Sequence, residues 1–244
     1  TTGFANVALG FVAGGGLTTG NYNIAIGQET LAATTTANNN IAVGHNALNA
    51  NTTGAQNTAI GRAALLKNTT ASYNIAVGYY ALEDTTTGAN NVAVGSFALE
   101  SNTASNNTAV GDIALRVNTT GGENVAVGKG ALGSNTTASY NTAVGYYALQ
   151  ANTTGEYNIA VGHGALDSNT DGGTNIAVGY NALTGNTSGI RNNGFGHGAI
   201  GTNSTGSRNV GVGYAALNAN TSGTRNTAVG NDALTSNTTA SHNT

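Results

Sequence analysis

The 244-residue chain contains no cysteine, proline, methionine or tryptophan. Without cysteine it is no disulfide-stapled scaffold. Disordered chains are usually rich in proline and charge, yet charged side chains make up only 7% of this one. No run approaches the roughly 18 apolar residues of a transmembrane helix, so no membrane insertion is expected in this segment. Seven basic against ten acidic residues give a net charge of −3, without the basic footprint of a nucleic-acid binder. Four histidines and ten acids are few for a catalytic domain of this length, and no enzymatic activity or cofactor is expected. Because a newly made chain starts with methionine, the sequence reads as a processed or partial product. It shows no signal peptide or anchor.

What the chain does have is glycine, asparagine and threonine in a strict period. Asn6, Asn23, Asn40, Asn57, Asn74 and Asn91 are each 17 residues apart. The step to Asn107 is 16, and the 17-residue step then returns through Asn124, Asn141 and Asn158 to Asn243. One unit reads N-[IVT]-A-[VI]-G-x-x-A-L-x-x-N-T-T-[GA]-x-x, numbered here from position 1 at the first Asn. No linker or second domain interrupts it, so 1–244 reads as a single repeat array. The ends show no cap, which suggests part of a longer or polymerising fibre.

Positions 2 and 4 are β-branched in most units and share a face only in an extended segment. Gly follows at position 5, as expected of a turn with positive φ or a close backbone approach. The Ala-Leu pair at positions 8 and 9 reads as a second short strand placing one large side chain inward. Asn-Thr-Thr at positions 12 to 14 reads as the next turn, because Asn tolerates the left-handed region. Helical repeats need about 33 residues or more, leucine-rich repeats more leucine, and calcium-binding nonapeptide repeats more acid.

The sequence therefore predicts an all-β fold, a parallel β-solenoid of about fourteen 17-residue coils. At about 4.8 Å per coil the array spans roughly 65–70 Å. The turn and ladder residues are the Asn–Gly pairs Asn40 and Gly44, Asn57 and Gly61, Asn74 and Gly78, Asn124 and Gly128, Asn141 and Gly145, and Asn158 and Gly162. Stacked Asn side chains can bond one another along the axis. With positions 2, 4 and 9 as its core, a coil is too thin to offset the ordering of its backbone alone. Position 3 is always Ala or Gly. On a strand it points away from positions 2 and 4, so Ala42, Ala59, Ala76, Ala126, Ala143 and Ala160 are read as packing between chains. The expected partner is the chain itself, in a homotrimer and end to end in a filament.

The unit from Asn141 to Gly155 resembles the head repeats of trimeric autotransporter adhesins, and more closely the N-T-A-x-G-x-x-A-L-x-x-N-T-T-G arrays of tail-fibre-like proteins of bacteria and phages. It is slightly longer than the adhesin repeat at the N-T-T-G turn. The resemblance covers Asn6 to Asn243. It implies three chains about one axis, an extracellular or cell-surface fibre or adhesin shaft, and no catalytic residues. A phage tail-fibre shaft is the alternative within this class.

Other side chains carry groups capable of chemistry. His45, His163 and His197 share position 6, and the last two are two coils or roughly 10 Å apart, too far for one metal. Tyr79, Tyr80, Tyr146, Tyr147, Tyr180, Tyr214, Tyr22, Tyr73, Tyr140 and Tyr157 either stack on a host surface or glycan, or seal coil edges. Asn51, Asn68, Asn118, Asn135, Asn152 and Asn237 lie in Asn-x-Ser/Thr sequons and are candidate glycosylation sites. The Thr files at positions 13 and 14 raise ice binding as a rival. The acids show no paired spacing for acid-base catalysis.

Overall fold

The computed structural model describes residues 2–244, an all-β parallel β-solenoid with no helix among those residues. It forms two compact units, Thr1–Gly122 and Glu123–Thr244. The first holds β1 (Val7–Leu9), β2 (Ile24–Ile26), β3 (Ile41–Val43), β4 (Thr58–Ile60), β5 (Ile75–Val77), β6 (Val92–Val94) and β7 (Thr108–Val110). The second holds β8 (Val125–Val127), β9 (Thr142–Val144), β10 (Ile159–Val161), β11 (Ile176–Val178), β12 (Asn193–Phe195), β13 (Val210–Val212) and β14 (Thr227–Val229). Within each unit the strands pair in parallel with their sequence neighbours. The register puts equivalent positions opposite one another: Ile159 faces Ile176, Ala160 faces Ala177 and Val161 faces Val178.

Each coil has one three-residue strand, not two. The Ala-Leu segment is a run of turns in which positions 7 and 9 take φ near +50° to +60°, for example Tyr147 at 53° and Leu149 at 52°. It is still bonded from coil to coil: the Leu149 N–H donates to the Ala165 carbonyl at 3.0 Å. Alternating left- and right-handed residues curl the backbone tightly while keeping its polar groups paired between rungs.

The inside and outside of the strand are the reverse of the sequence expectation. Ala42, Ala59, Ala76, Ala126, Ala143 and Ala160 are all fully buried in a single chain. They share the interior with the Ala at position 8 and the Leu at position 9, which are buried too. They are therefore core methyls, not chain-to-chain contacts. The physical reason is thickness. A 17-residue coil leaves room for Leu opposite the strand only if the strand contributes a methyl. The larger Val and Ile side chains at positions 2 and 4 point outward.

Two asparagine ladders complete the interior. At position 1 the Asn57 Oδ1 accepts from the Asn74 backbone N–H at 3.0 Å, and the Asn57 Nδ2 donates to the Ala71 carbonyl at 2.9 Å. The same pattern joins Asn124 to Asn141 and Asn141 to Asn158. At position 12 the amides bond one another along the axis: Asn169 Nδ2 donates to Asn152 Oδ1 at 2.8 Å, and Asn186 Nδ2 to Asn169 Oδ1 at 2.7 Å. These buried amides hold the register without charge, and the exception is Asn68 Oδ1, which has no partner where Thr85 interrupts the position-12 file.

The short coil shows which position is dispensable. In the step from Asn91 to Asn107, Ala104 takes over the position-15 carbonyl, accepting from Asn91 Nδ2 at 2.9 Å and Asn102 Nδ2 at 2.8 Å. The missing residue is the exposed position 14, and the ladder continues from the Asn107 N–H to Asn91 Oδ1 at 2.9 Å.

Candidate functional site

Three lateral features are available for recognition, each one file per repeat position. The first is the outer face of the strands. In the second unit it carries Val, Thr and Ile at position 2 and mostly Val at position 4, with Asn193 and Phe195 in β12. No charged residue occurs in either file. Ile159 is 41% exposed and Val161 37%, while Thr142, Ile176, Asn193 and Val210 at position 2 are half-buried. β3 to β6 of the first unit present the same kind of surface through Ile41, Ile60, Ile75 and Val94. Such contiguous exposed apolar surface is uncommon on monomers and marks interaction sites.

The second feature is an aromatic file at position 6. Tyr146, His163, Tyr180, His197 and Tyr214 stack in sequence with centroid separations of 4.9 to 5.1 Å. The histidines alternate with tyrosines, so no two approach one another to share a metal. Because the rings lie face to face, they offer edges to solvent, and their faces are already occupied. Tyr140 and Tyr157 stack likewise at position 17, 4.9 Å apart. In the first unit Tyr79, Tyr80 and Phe97 cluster, with Arg62 over both tyrosine rings and Arg116 over Phe97. His45 does not join a ring stack.

The third is the Thr file. Position-13 hydroxyls are spent within the chain: Thr52 Oγ1 donates to the Thr69 carbonyl at 2.9 Å and Thr153 Oγ1 to the Thr170 carbonyl at 3.1 Å. These hydroxyls point along the axis rather than out toward water, which weighs against an ice-matching face.

The amides of the candidate glycosylation sites are engaged within the folded chain. Asn51, Asn68, Asn118, Asn135 and Asn152 are fully buried. Each Nδ2, and that of Asn237, donates to the carbonyl three residues on. A glycan on Nδ2 would need the corner to open.

Electrostatics are sparse. Lys67 pairs with Asp84 and Arg116 with Glu100, and the hydrogen bond that Lys67 Nζ donates to Asp84 raises the Lys67 pKa. Burial raises Asp167 above the ordinary carboxylate range, with the nearby His163 opposing, and the Asp167 Oδ1 is buried without a hydrogen-bond partner. Among the described residues there is no enclosed pocket, no group of three or more acidic or histidine side chains placed for a metal, and no helix long and apolar enough to cross a membrane. The repeat arithmetic placed the Tyr and His side chains on shared files, but alternation within one file appears only when their positions are aligned coil by coil. No protein-family model and no curated protein matches the chain.

Proposed function

We propose that the chain is a structural element of an extracellular or cell-surface fibre or adhesin shaft, assembled from three copies through the outward strand face. The carrying observation is the pair of uncharged, exposed, β-branched files at positions 2 and 4. Their side chains recur once per coil, about every 4.8 Å. A partner stays in register along seven such rungs only if it has the same rise, and a second copy of the chain has it. Each seven-strand face measures about 30 Å by 10 Å. Two such faces amount to about 600 Å² per chain, the lower bound of what one partner buries in a specific interface. The likeness of the Asn141–Gly155 unit to trimeric adhesin repeats supports three chains rather than two.

The test is mass in solution. Light scattering should give three times the 24.0 kDa of the chain. Val144→Lys combined with Val161→Lys puts charge on the face without touching the coil interior. This variant should keep its far-UV spectrum and run as a single chain. A wild-type protein that is monomeric at all concentrations overturns the reading.

A further inference from the structure

Three of the seven cationic side chains lie on one file of three successive coils. Arg191, Arg208 and Arg225 each occupy position 17 and are exposed. Their backbones are superimposable, with φ of 59°, 60° and 56°. The Arg208 N–H donates to the Ile190 carbonyl at 2.9 Å and the Arg225 N–H to the Ser207 carbonyl at 3.0 Å, so the three residues repeat at the coil rise. The three arginines thus stand on successive rungs about 4.8 Å apart. His242 extends the file, with its Nε2 3.4 Å from Arg225 Nη1.

These charges lack counter-ions. None of the three forms an ion pair, whereas Lys67 and Arg116 are paired with Asp84 and Glu100. Beside the arginine file, at position 16, stand Ser207, Thr224 and Ser241. Glu156 shares that column but sits two coils before Ile190, about 10 Å away. Glu123 heads the arginine column itself, four coils before Arg191. Directly adjacent like charges oppose one another on a sheet. A chain that otherwise avoids charge has concentrated three cations on one file.

We propose that Arg191, Arg208 and Arg225 form a binding site for a linear anionic polysaccharide, each guanidinium taking a sulfate or carboxylate from successive sugars. A planar guanidinium offers paired donors matched to either group. One sugar residue of an extended chain rises by nearly one coil, so acidic groups on successive sugars can meet successive arginines. A nucleic acid fits less well. Three cations are few for a phosphate backbone, and single-stranded bases need free ring faces, whereas Tyr180, His197 and Tyr214 lie against one another. An anionic membrane calls for a broader basic cluster.

The experiment measures binding of a heparin-derived oligosaccharide to the full chain, with neutral dextran and a single-stranded oligonucleotide as the other arms. The heparin fragment should bind and dextran should not. Arg191→Gln/Arg208→Gln/Arg225→Gln should weaken heparin binding about tenfold or more at low salt and flatten the salt dependence by close to one log unit per arginine. Lys67→Ala/Arg116→Ala, which removes already neutralised charges, should leave it unchanged. Far-UV spectrum and solution mass must match between the triple variant and the wild type. Equal heparin binding by the triple variant, or oligonucleotide binding as tight as heparin, overturns the proposal. The site lies within one chain, so a monomeric wild type that still binds heparin would sink the assembly reading and leave this one standing.

Discussion

At the scale of single residues, the coil interior is a set of matched volumes, and its exceptions occur together. Position 9 is Leu almost throughout, but in one coil it is Ile200, fully buried. The next coil carries Gly211 where Ala is the rule. A methyl on Gly211 would lie 2.7 Å from the Ile200 Cγ1. One coil earlier, Leu183 faces Gly194, and a methyl there would meet the Leu183 side chain at an ordinary 3.4 Å. Branching at Cβ is therefore what crowds the neighbouring rung. Gly211→Ala should destabilise the protein by about 1–3 kcal/mol through overpacking. Adding Ile200→Leu should recover most of that loss. Thermal unfolding of the two singles and the double closes the cycle, and additive effects would show that the two positions do not share one space.

At the scale of the element, the turn segment from position 6 to position 11 carries an electrostatic liability at position 10. Asp167 has a buried carboxylate oxygen without a partner, and burial raises its pKa above 3.8, only partly countered by His163. Between that value and the raised folded one, the native state binds more protons than the unfolded state. Stability therefore falls as pH rises through this window, and the penalty is fully present at neutral pH. Asp167→Asn should raise stability at neutral pH and remove this part of the decline, read from denaturant unfolding at several pH values. An unchanged pH profile in the variant would place the titration elsewhere.

The strand shows what could be read in advance. The period, the all-β class and the parallel stacking were legible because Asn, Gly and Leu recur at fixed offsets, and few folds repeat in 17 residues. The direction of the strand was not. Hydrophobicity alone places Val144 inside and leaves Ala143 for a partner, yet Ala143 is buried and Val144 is exposed. Alternation fixes which residues share a face but not which face is inward. That is decided by the space opposite, where Leu149 already fills the coil. A Leu at φ of 52° was equally hidden, because its unusual backbone is imposed by bonding between coils rather than by residue preference.

At the scale of the molecule, every coil depends on its neighbours and on little else, so stability should be nearly a sum of local terms. Gly145 makes this testable. Its φ is 142°, and a methyl added there would lie 2.4 Å from the Gly162 carbonyl oxygen of the next rung. Both the backbone conformation and the contact oppose Gly145→Ala, which should cost more than about 2 kcal/mol. The damage should stay near its origin. In hydrogen exchange, the Gly162 N–H, which donates to Val144 at 2.8 Å, and the Leu149 N–H, which donates to Ala165, should lose protection. Four coils along, the Gly213 N–H to Phe195 and the Ala219 N–H to Thr235 should keep theirs. A globular core would spread the same lesion over all its amides, because its unfolding is all-or-none. Uniform loss of protection across Glu123–Thr244 would therefore mean that this unit holds together as a single cooperative body, whereas a gradient fading within two or three rungs would measure how far one coil supports the next.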